Sequence, residues 1–503
     1  MSAEKSSTEP QERFEFHITR WLCLLPLLFF IVPMLWMSSI RVGSMSVVLG
    51  FTLLGIILTS FFAKDWNRYW GVISGGMLKP SVAMFVLIFT IVGIFAKMVA
   101  ASNVAGGVIW LASATGVQGT VFTAFVFIAC CLLSTGSGSS MATVLTLGPP
   151  LYPAGIILGA DPFLLVGALV AGANFGDNLA PVSDTTIVSA AGQTYQNKEG
   201  PADIGGVVRT RFKYAIIAGM ISLVLYLLIG SGSQFLTPKE AADLIAKHSY
   251  AKGLLMMIPV GVIIFFAVRG THIATALTIG IVSGAIIALL SGILTFDDFI
   301  QLKAAGKKMK LVGIIPQGST MMLRQIIVLM LLMGAGELII ATGVMQDMME
   351  SLSKMVSKPA GTEVMMCILG GIVGLMGGFA IMGMAIAAPF INAMGRDQKI
   401  HPYRRANILD GMTTSMCHAI PWSKQLFVLA GLLTAMKETY SFVPVVTPTQ
   451  FFYYCFHPWI LMALMLVFSI VGWGRIFEGK DGKIIKGYYA KEVPAEAVEA
   501  GRA

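Results

Sequence analysis

Long apolar stretches alternate with short polar ones over almost the whole chain. A helix that crosses a bilayer core needs about 17–25 mostly apolar residues. Runs of that order fall near 21–38, 42–63, 82–101, 118–134, 212–230, 253–268, 272–294, 325–342, 364–380 and 452–473. Four more segments, 135–155, 163–195, 381–395 and 404–438, are apolar yet interrupted by Gly, Pro, Asp and Asn. The pattern predicts an all-α polytopic membrane protein with roughly 11–13 transmembrane helices, each broken helix counted once. Polar stretches at 1–20, 64–80, 196–211, 231–251, 296–320, 396–405 and 474–503 read as loops or tails, none large enough for a separate soluble domain. Between Phe296 and Lys310, the charges Asp297, Asp298, Lys303, Lys307, Lys308 and Lys310 suit an interfacial helix or a solvated loop.

Composition agrees with this and removes other classes. Of 503 residues, 56% are hydrophobic and 12% charged, and the mean hydropathy is +0.79. An ordinary soluble domain carries roughly 25% charged residues, so this chain could not cover its surface in water. The net charge of +9 does not point to nucleic acid. Few Lys and Arg lie in the apolar runs; they gather in the loops and the C-terminal tail, as the positive-inside rule requires. The polar N-terminal stretch reads as a tail, not a cleaved signal peptide. Cys23, Cys130, Cys131, Cys367, Cys417 and Cys455 lie in or beside apolar runs without metal or disulfide spacing, and read as small hydrophobes.

The two halves overlay at a constant shift of 240 residues: Ala101 falls on Ala341, Val104 on Val344, Gly138 on Gly378, Pro149 on Pro389, Gly155 on Gly395 and Pro181 on Pro421. Two proline matches among 21 prolines, with no gap, argue for an internal repeat. Loop charge suggests that the repeats are inverted. The loop at 156–162 has no Lys or Arg, whereas its mate has Arg396, Lys399, Arg404 and Arg405. The loop at 196–213 has Lys198, Arg209, Arg211 and Lys213, whereas its mate has Lys437 alone. The basic loops at 64–80 and 296–320 do not follow this pattern. The expected organisation is a polar tail (1–20), N-terminal helices (21–80), a first repeat (81–213), connecting helices and a loop (214–320), a second repeat (321–473) and a cytoplasmic tail (474–503). Inverted repeats with broken helices are a secondary-transporter architecture, with the binding site near the midplane.

The chemistry concentrates in Gly172–Thr186, an apolar segment that nonetheless holds Asp177 and Asp184 with Asn174, Asn178, Ser183, Thr185 and Thr186. An aspartate at the centre of a membrane helix costs roughly 2.5–3.5 kcal/mol. Gly176 loosens the helix and Pro181 removes a backbone hydrogen bond. Carboxylate, hydroxyl and unwound carbonyl oxygens are the ligands of a small hard cation. These seven residues are the expected Na+/H+ site. The repeat mate, Asp410–Lys424, again has hydroxyls before a proline and adds His418. Ser134, Thr135, Ser137 and Ser139 in a glycine-rich break, with Thr413, Thr414, Ser415, Ser423 and Lys424, are the expected contacts of a small organic solute. The second break, Met376–Gly383, lacks hydroxyls and reads as close packing or a backbone-carbonyl site. Lys97 and Glu337 fall on each other at the 240 shift, so they pair across the halves, carry protons, or snorkel near helix ends. His418 and Asp410 are the other proton-relay candidates. Arg324 precedes its helix and reads as its anchor, and Asp161 and Asp347 read as loop or helix-end residues. No HExxH, Walker A or Gly-x-Ser-x-Gly motif is present. Gly176-Asp177 lacks the second Tyr-Asp of an intramembrane aspartyl protease, so the chain reads as a non-enzyme without cofactor.

The run Phe175-Gly-Asp-Asn-Leu-Ala-Pro-Val-Ser-Asp-Thr-Thr186 resembles the signature of the NhaC family of Na+/H+ antiporters. Ser134-Thr-Gly-Ser-Gly-Ser-Ser-Met-Ala-Thr143 is similar to that family's glycine-rich segment, and Ala419-Ile-Pro-Trp422 with Tyr440-Ser-Phe-Val-Pro444 to its late motifs. The resemblance spans roughly residues 75–470. Asn178 stands where the family usually has Lys, Ala180 where it has Ser, and His418 and Lys424 are also departures. The resemblance implies Na+/H+ antiport by alternating access, on a scaffold-plus-transport-domain fold of the ion transporter superfamily that is often a homodimer. Some relatives exchange organic acids such as malate and lactate, so a Na+- or H+-coupled organic acid or amino acid transporter is the alternative. The expected place is the cell (inner) membrane, with lipid, Na+, H+ and a small organic anion as partners.

Overall fold

The computed structural model describes residues 13–39, 45–230, 237–269, 271–305, 308–356, 358–375, 380–437 and 439–486. Helices dominate, as backbone without water around it requires. Six are long and apolar enough to cross a membrane among the described residues, or nine when each of three sharply bent pairs is one span. Four shorter apolar helices, Arg20–Trp36, Ser46–Ser60, Val104–Thr115 and Pro359–Leu375, accompany them. All six cysteines are buried and free.

The helix bounds recur at the shift read from the sequence. Gly119–Ser137, Ser140–Ile157, Pro162–Leu179 and the start of Asp184–Ala191 lie 240 residues before Pro359–Leu375, Ala380–Asp397, Pro402–Ala419 and the start of Lys424–Met436, to within two residues at each stated bound. Local chemistry sets these bounds in both halves. Pro162 and Pro402 occupy first helical turns, where a missing N–H costs nothing. The residue before each, Asp161 and His401, caps the free backbone N–H groups. Pro181 and Pro421 fall in the breaks that follow. The packing crosses between halves: Asp184–Ala191 lies against Ala380–Asp397, and Lys424–Met436 against Ser140–Ile157.

Several polar segments depart from their reading as loops. Residues 64–80 form the helix Trp66–Met77, capped by Asp65, and 231–251 contain Pro238–His248 with a Thr237/Glu240 capping box. Phe296–Phe299 is one helical turn, followed not by an interfacial helix but by an antiparallel hairpin, Gln301–Ala305 with Lys308–Val312. The helix Ile204–Leu228 starts early enough to carry Arg211 into the interior. Arg404 and Arg405, counted above as loop charges, are buried in the first turn of Pro402–Ala419. Three of the residues behind the loop-charge asymmetry are therefore interior ion-pair or hydrogen-bonding groups. Glu337 pairs with Lys79. Lys97 is 18 positions further on, about 27 Å along a straight helix, so Glu337 and Lys97 do not meet. The Gly377-Gly378 break lies outside the described residues.

Arg404 meets Glu363 through two 3.0 Å hydrogen bonds, Arg475 reaches the same carboxylate at 3.2 Å, and the Tyr214 hydroxyl accepts from Arg404 at 2.6 Å. Beyond this cluster, the strands Ile476–Glu478 and Ile484–Lys486 form a hairpin. It pairs with Ile400 and binds Gln196 and Asn197 through Glu478.

Candidate ion site

The helix Pro162–Leu179 ends at Ala180–Ser183, and Asp184–Ala191 leaves at 41°. A helix end here presents free backbone groups and a dipole terminus to the interior. The glycine-rich break of the first half abuts the same point. Gly138 has φ +65°, and a Cβ there would come within 2.7 Å of Val182 and 3.1 Å of the Ser183 nitrogen. A Cβ on Gly176 would lie 2.3 Å from the Thr135 nitrogen, so only glycine lets Pro162–Leu179 approach Gly119–Ser137 this closely.

Asp177 is 7% exposed and accepts a 2.7 Å hydrogen bond from Ser183 Oγ. Ser183 and Thr185 hydroxyls are 3.0 Å apart. Asp184 begins the next helix and is exposed. The seven residues expected to make one site thus divide in two. The second group is a polar cluster facing Pro402–Ala419. Asn178 Nδ2 donates to Asn174 Oδ1 at 3.3 Å, and Thr414 Oγ1 donates to Asn178 Oδ1 at 2.8 Å. Thr186 Oγ1 donates to Asp410 Oδ2 at 3.1 Å. His418 Nδ1 is 2.7 Å from the Thr414 carbonyl and 3.1 Å from Asn174 Nδ2, while His457 Nδ1 lies 2.9 Å from Asn174 Oδ1.

The expected solute contacts are mostly engaged elsewhere. Ser134 and Thr135 donate to the Ala173 and Cys131 carbonyls at 2.6 and 2.7 Å. Ser139 and Ser423 cap helices, Ser137 accepts from the Ser139 N–H at 3.4 Å, and Thr413 donates to the Gly370 carbonyl. Lys424 places its ammonium 4.0 Å from the centre of the Phe85 ring. Ser415 Oγ and His418 Nε2 are buried without a hydrogen-bond partner among the described residues.

Sequence reading missed three contributors: Arg211, Asn407 and His457. Arg211 is fully buried; it pairs with Asp410, donates to Asn407 Oδ1 at 2.9 Å, and reaches the Asn178 carbonyl and Thr186 Oγ1. A signal was available. Val207, Arg211, Tyr214, Ala218 and Ser222 follow the 3.6-residue period of one buried face. His457 likewise precedes buried Leu461 and Met465 at four-residue steps.

A helix broken beside a buried carboxylate, with hydroxyl and amide groups packed between the two halves, marks a polytopic helical membrane protein of secondary-transporter type. A profile of the Na+/H+ antiporter family matches residues 18–231 and 237–473, and the chain belongs to that family. It is 25% identical over 340 residues to a Malate-2H(+)/Na(+)-lactate antiporter of Bacillus subtilis, covering 65% of this chain and 70% of the relative. It is 27% identical over 257 residues to the arginine/ornithine antiporter ArcD of Halobacterium salinarum, covering 49% and 50%. Identity to the Na(+)/H(+) antiporter NhaC of Alkalihalophilus pseudofirmus is 25% over 245 residues, covering 47% and 52%. The chain thus spans about half the length of the latter two relatives.

Proposed function

We propose that this protein exchanges Na+ for H+ across the cell (inner) membrane, with Asp177 as the group that holds one or the other. The carrying observation is the Asp177 carboxylate, buried at the helix break and hydrogen-bonded by Ser183. A bare buried carboxylate is costly. It is stable with a proton or with Na+, and less so empty. Alternation between these states, with the site opening to each side in turn, is an exchange cycle. Ser183 and Thr185 supply neutral oxygens beside it, and Asp184 stands exposed at the start of the next helix. Family membership and the NhaC relative support this reading. The recurrence of helix bounds at 240 residues supports two repeats, inverted in the proposed cycle. The test is Na+ addition to everted vesicles carrying a respiration-driven pH gradient. Na+ should dissipate the gradient, and a gradient indifferent to Na+ would overturn the proposal.

A second reading, Na+-coupled exchange of a small organic acid or amino acid, draws on one observation. Ser415 Oγ and His418 Nε2 are buried polar atoms that the ion site does not use. The names of two relatives point the same way. Uptake of labelled lactate, malate and arginine into proteoliposomes, with and without Na+, separates the readings.

A further inference from the structure

Arg211 is bound in a manner that suits a spherical cation better than a forked donor. Its Nη1 carries two hydrogens yet has three oxygens around it: the Asn178 carbonyl at 2.7 Å, Thr186 Oγ1 at 3.0 Å, and Asp410 Oδ2. Its Nη2 has the same capacity and no partner among the described residues, and neither has Asp410 Oδ1. A guanidinium recognised by its own shape spreads over both oxygens of a carboxylate. Arg404 does so on Glu363, at 3.0 and 3.0 Å. Around Arg211 three oxygens instead converge on Nη1, while Nε alone is matched as a separate donor, to Asn407 Oδ1 at 2.9 Å.

Those oxygens are a backbone carbonyl, a hydroxyl and a carboxylate, the ligand types of hard cations. They come from three separate places: the turn before the break, the turn after it, and the facing helix Pro402–Ala419. Contraction by a few tenths of an ångström would bring the carbonyl and the hydroxyl to the ~2.3–2.6 Å of a hard-cation shell.

We propose that the Asn178 carbonyl, Thr186 Oγ1 and Asp410 Oδ2 form a second monovalent-cation site, filled in this protein by Arg211 as a tethered cation. One exchangeable Na+ site, at Asp177, then remains per chain. The inference rests on the Na+/H+ exchange reading and deepens it by assigning the number of ions bound. The Arg211 guanidinium is covalently tethered to its own helix, so this site does not exchange its cation with the solution. The charge of Asp410 is cancelled inside the protein, and Asp177 alone answers to the gradients.

The test is equilibrium binding of radioactive sodium to the purified full chain in detergent. The wild type and Arg211→Lys should each bind one Na+. Arg211→Ala should bind two, and Arg211→Ala/Asp410→Asn, which removes the charge pair together, should return to one. Arg211→Gln serves where the alanine variant does not fold, and must also bind two. A single Na+ in every protein would overturn this inference alone, as would two in the wild type. A wild type that binds no Na+ would overturn the exchange reading, and this inference with it.

Discussion

The hydroxyl of Ser183 donates to the carboxylate of Asp177 across 2.7 Å, tying the far end of a helix break to the last turn of the helix before it. The bond fixes where the negative charge sits and which oxygens surround it. A hydrogen bond to a charged group contributes roughly 1.5–3 kcal/mol. Ser183→Ala should therefore weaken Na+ binding by about tenfold or more, with the fold intact. Isothermal titration with NaCl reads this directly; unchanged affinity would remove Ser183 from the site.

The Glu363 carboxylate is shared by Arg404 and Arg475, all three nearly or fully buried. Removing one member of a buried ion-pair group strands the remaining charges, at a cost of about 3–5 kcal/mol. Glu363→Ala should lower the thermal unfolding temperature in detergent far more than Glu350→Ala, whose exposed pair with Lys354 contributes little.

The C-terminal hairpin carries an acid-sensitive contact at His401. Its Nε2 lies 3.1 Å from the Gly482 carbonyl, and its Nδ1 accepts from the Tyr403 N–H. Both nitrogens are satisfied only in the neutral ring. Burial, with Arg405 nearby, lowers its pKa from the ordinary 6.5 to about 4. A lowered histidine pKa means the unfolded chain binds the proton first as pH falls. The stability from the neutral ring is complete above about 6.5 and is lost as pH drops towards about 4. Protection factors for hydrogen exchange at 476–486 should fall as pH drops across that window, and His401→Asn should flatten the response.

Much of this was legible in the sequence. Apolar runs gave the membrane class, because a bilayer demands their length. The prolines at 181 and 421 marked breaks through a property local to each residue, whereas Pro402, read inside a loop, starts a helix. Asp177 and Ser183 stood out because polar groups are costly in an apolar segment. What stayed hidden depends on tertiary partners. Arg211 lies among Arg209 and Lys213 and resembles a loop charge until Asp410, over 190 positions away, is brought to it. Asp184 is equally polar in sequence, yet the bend after Ser183 leaves it exposed. The pairing of Glu337 with Lys79 follows from the helix packing, which the 240 shift alone does not specify.

The most direct test of the Asp177 assignment is Na+ uptake into proteoliposomes driven by an imposed pH gradient, acid inside, for the wild type and Asp177→Asn. The wild type should accumulate Na+ as protons leave. The asparagine variant, folded by thermal unfolding, should take up no more than empty liposomes. Gradient-driven Na+ uptake at the wild-type rate by Asp177→Asn would contradict the account.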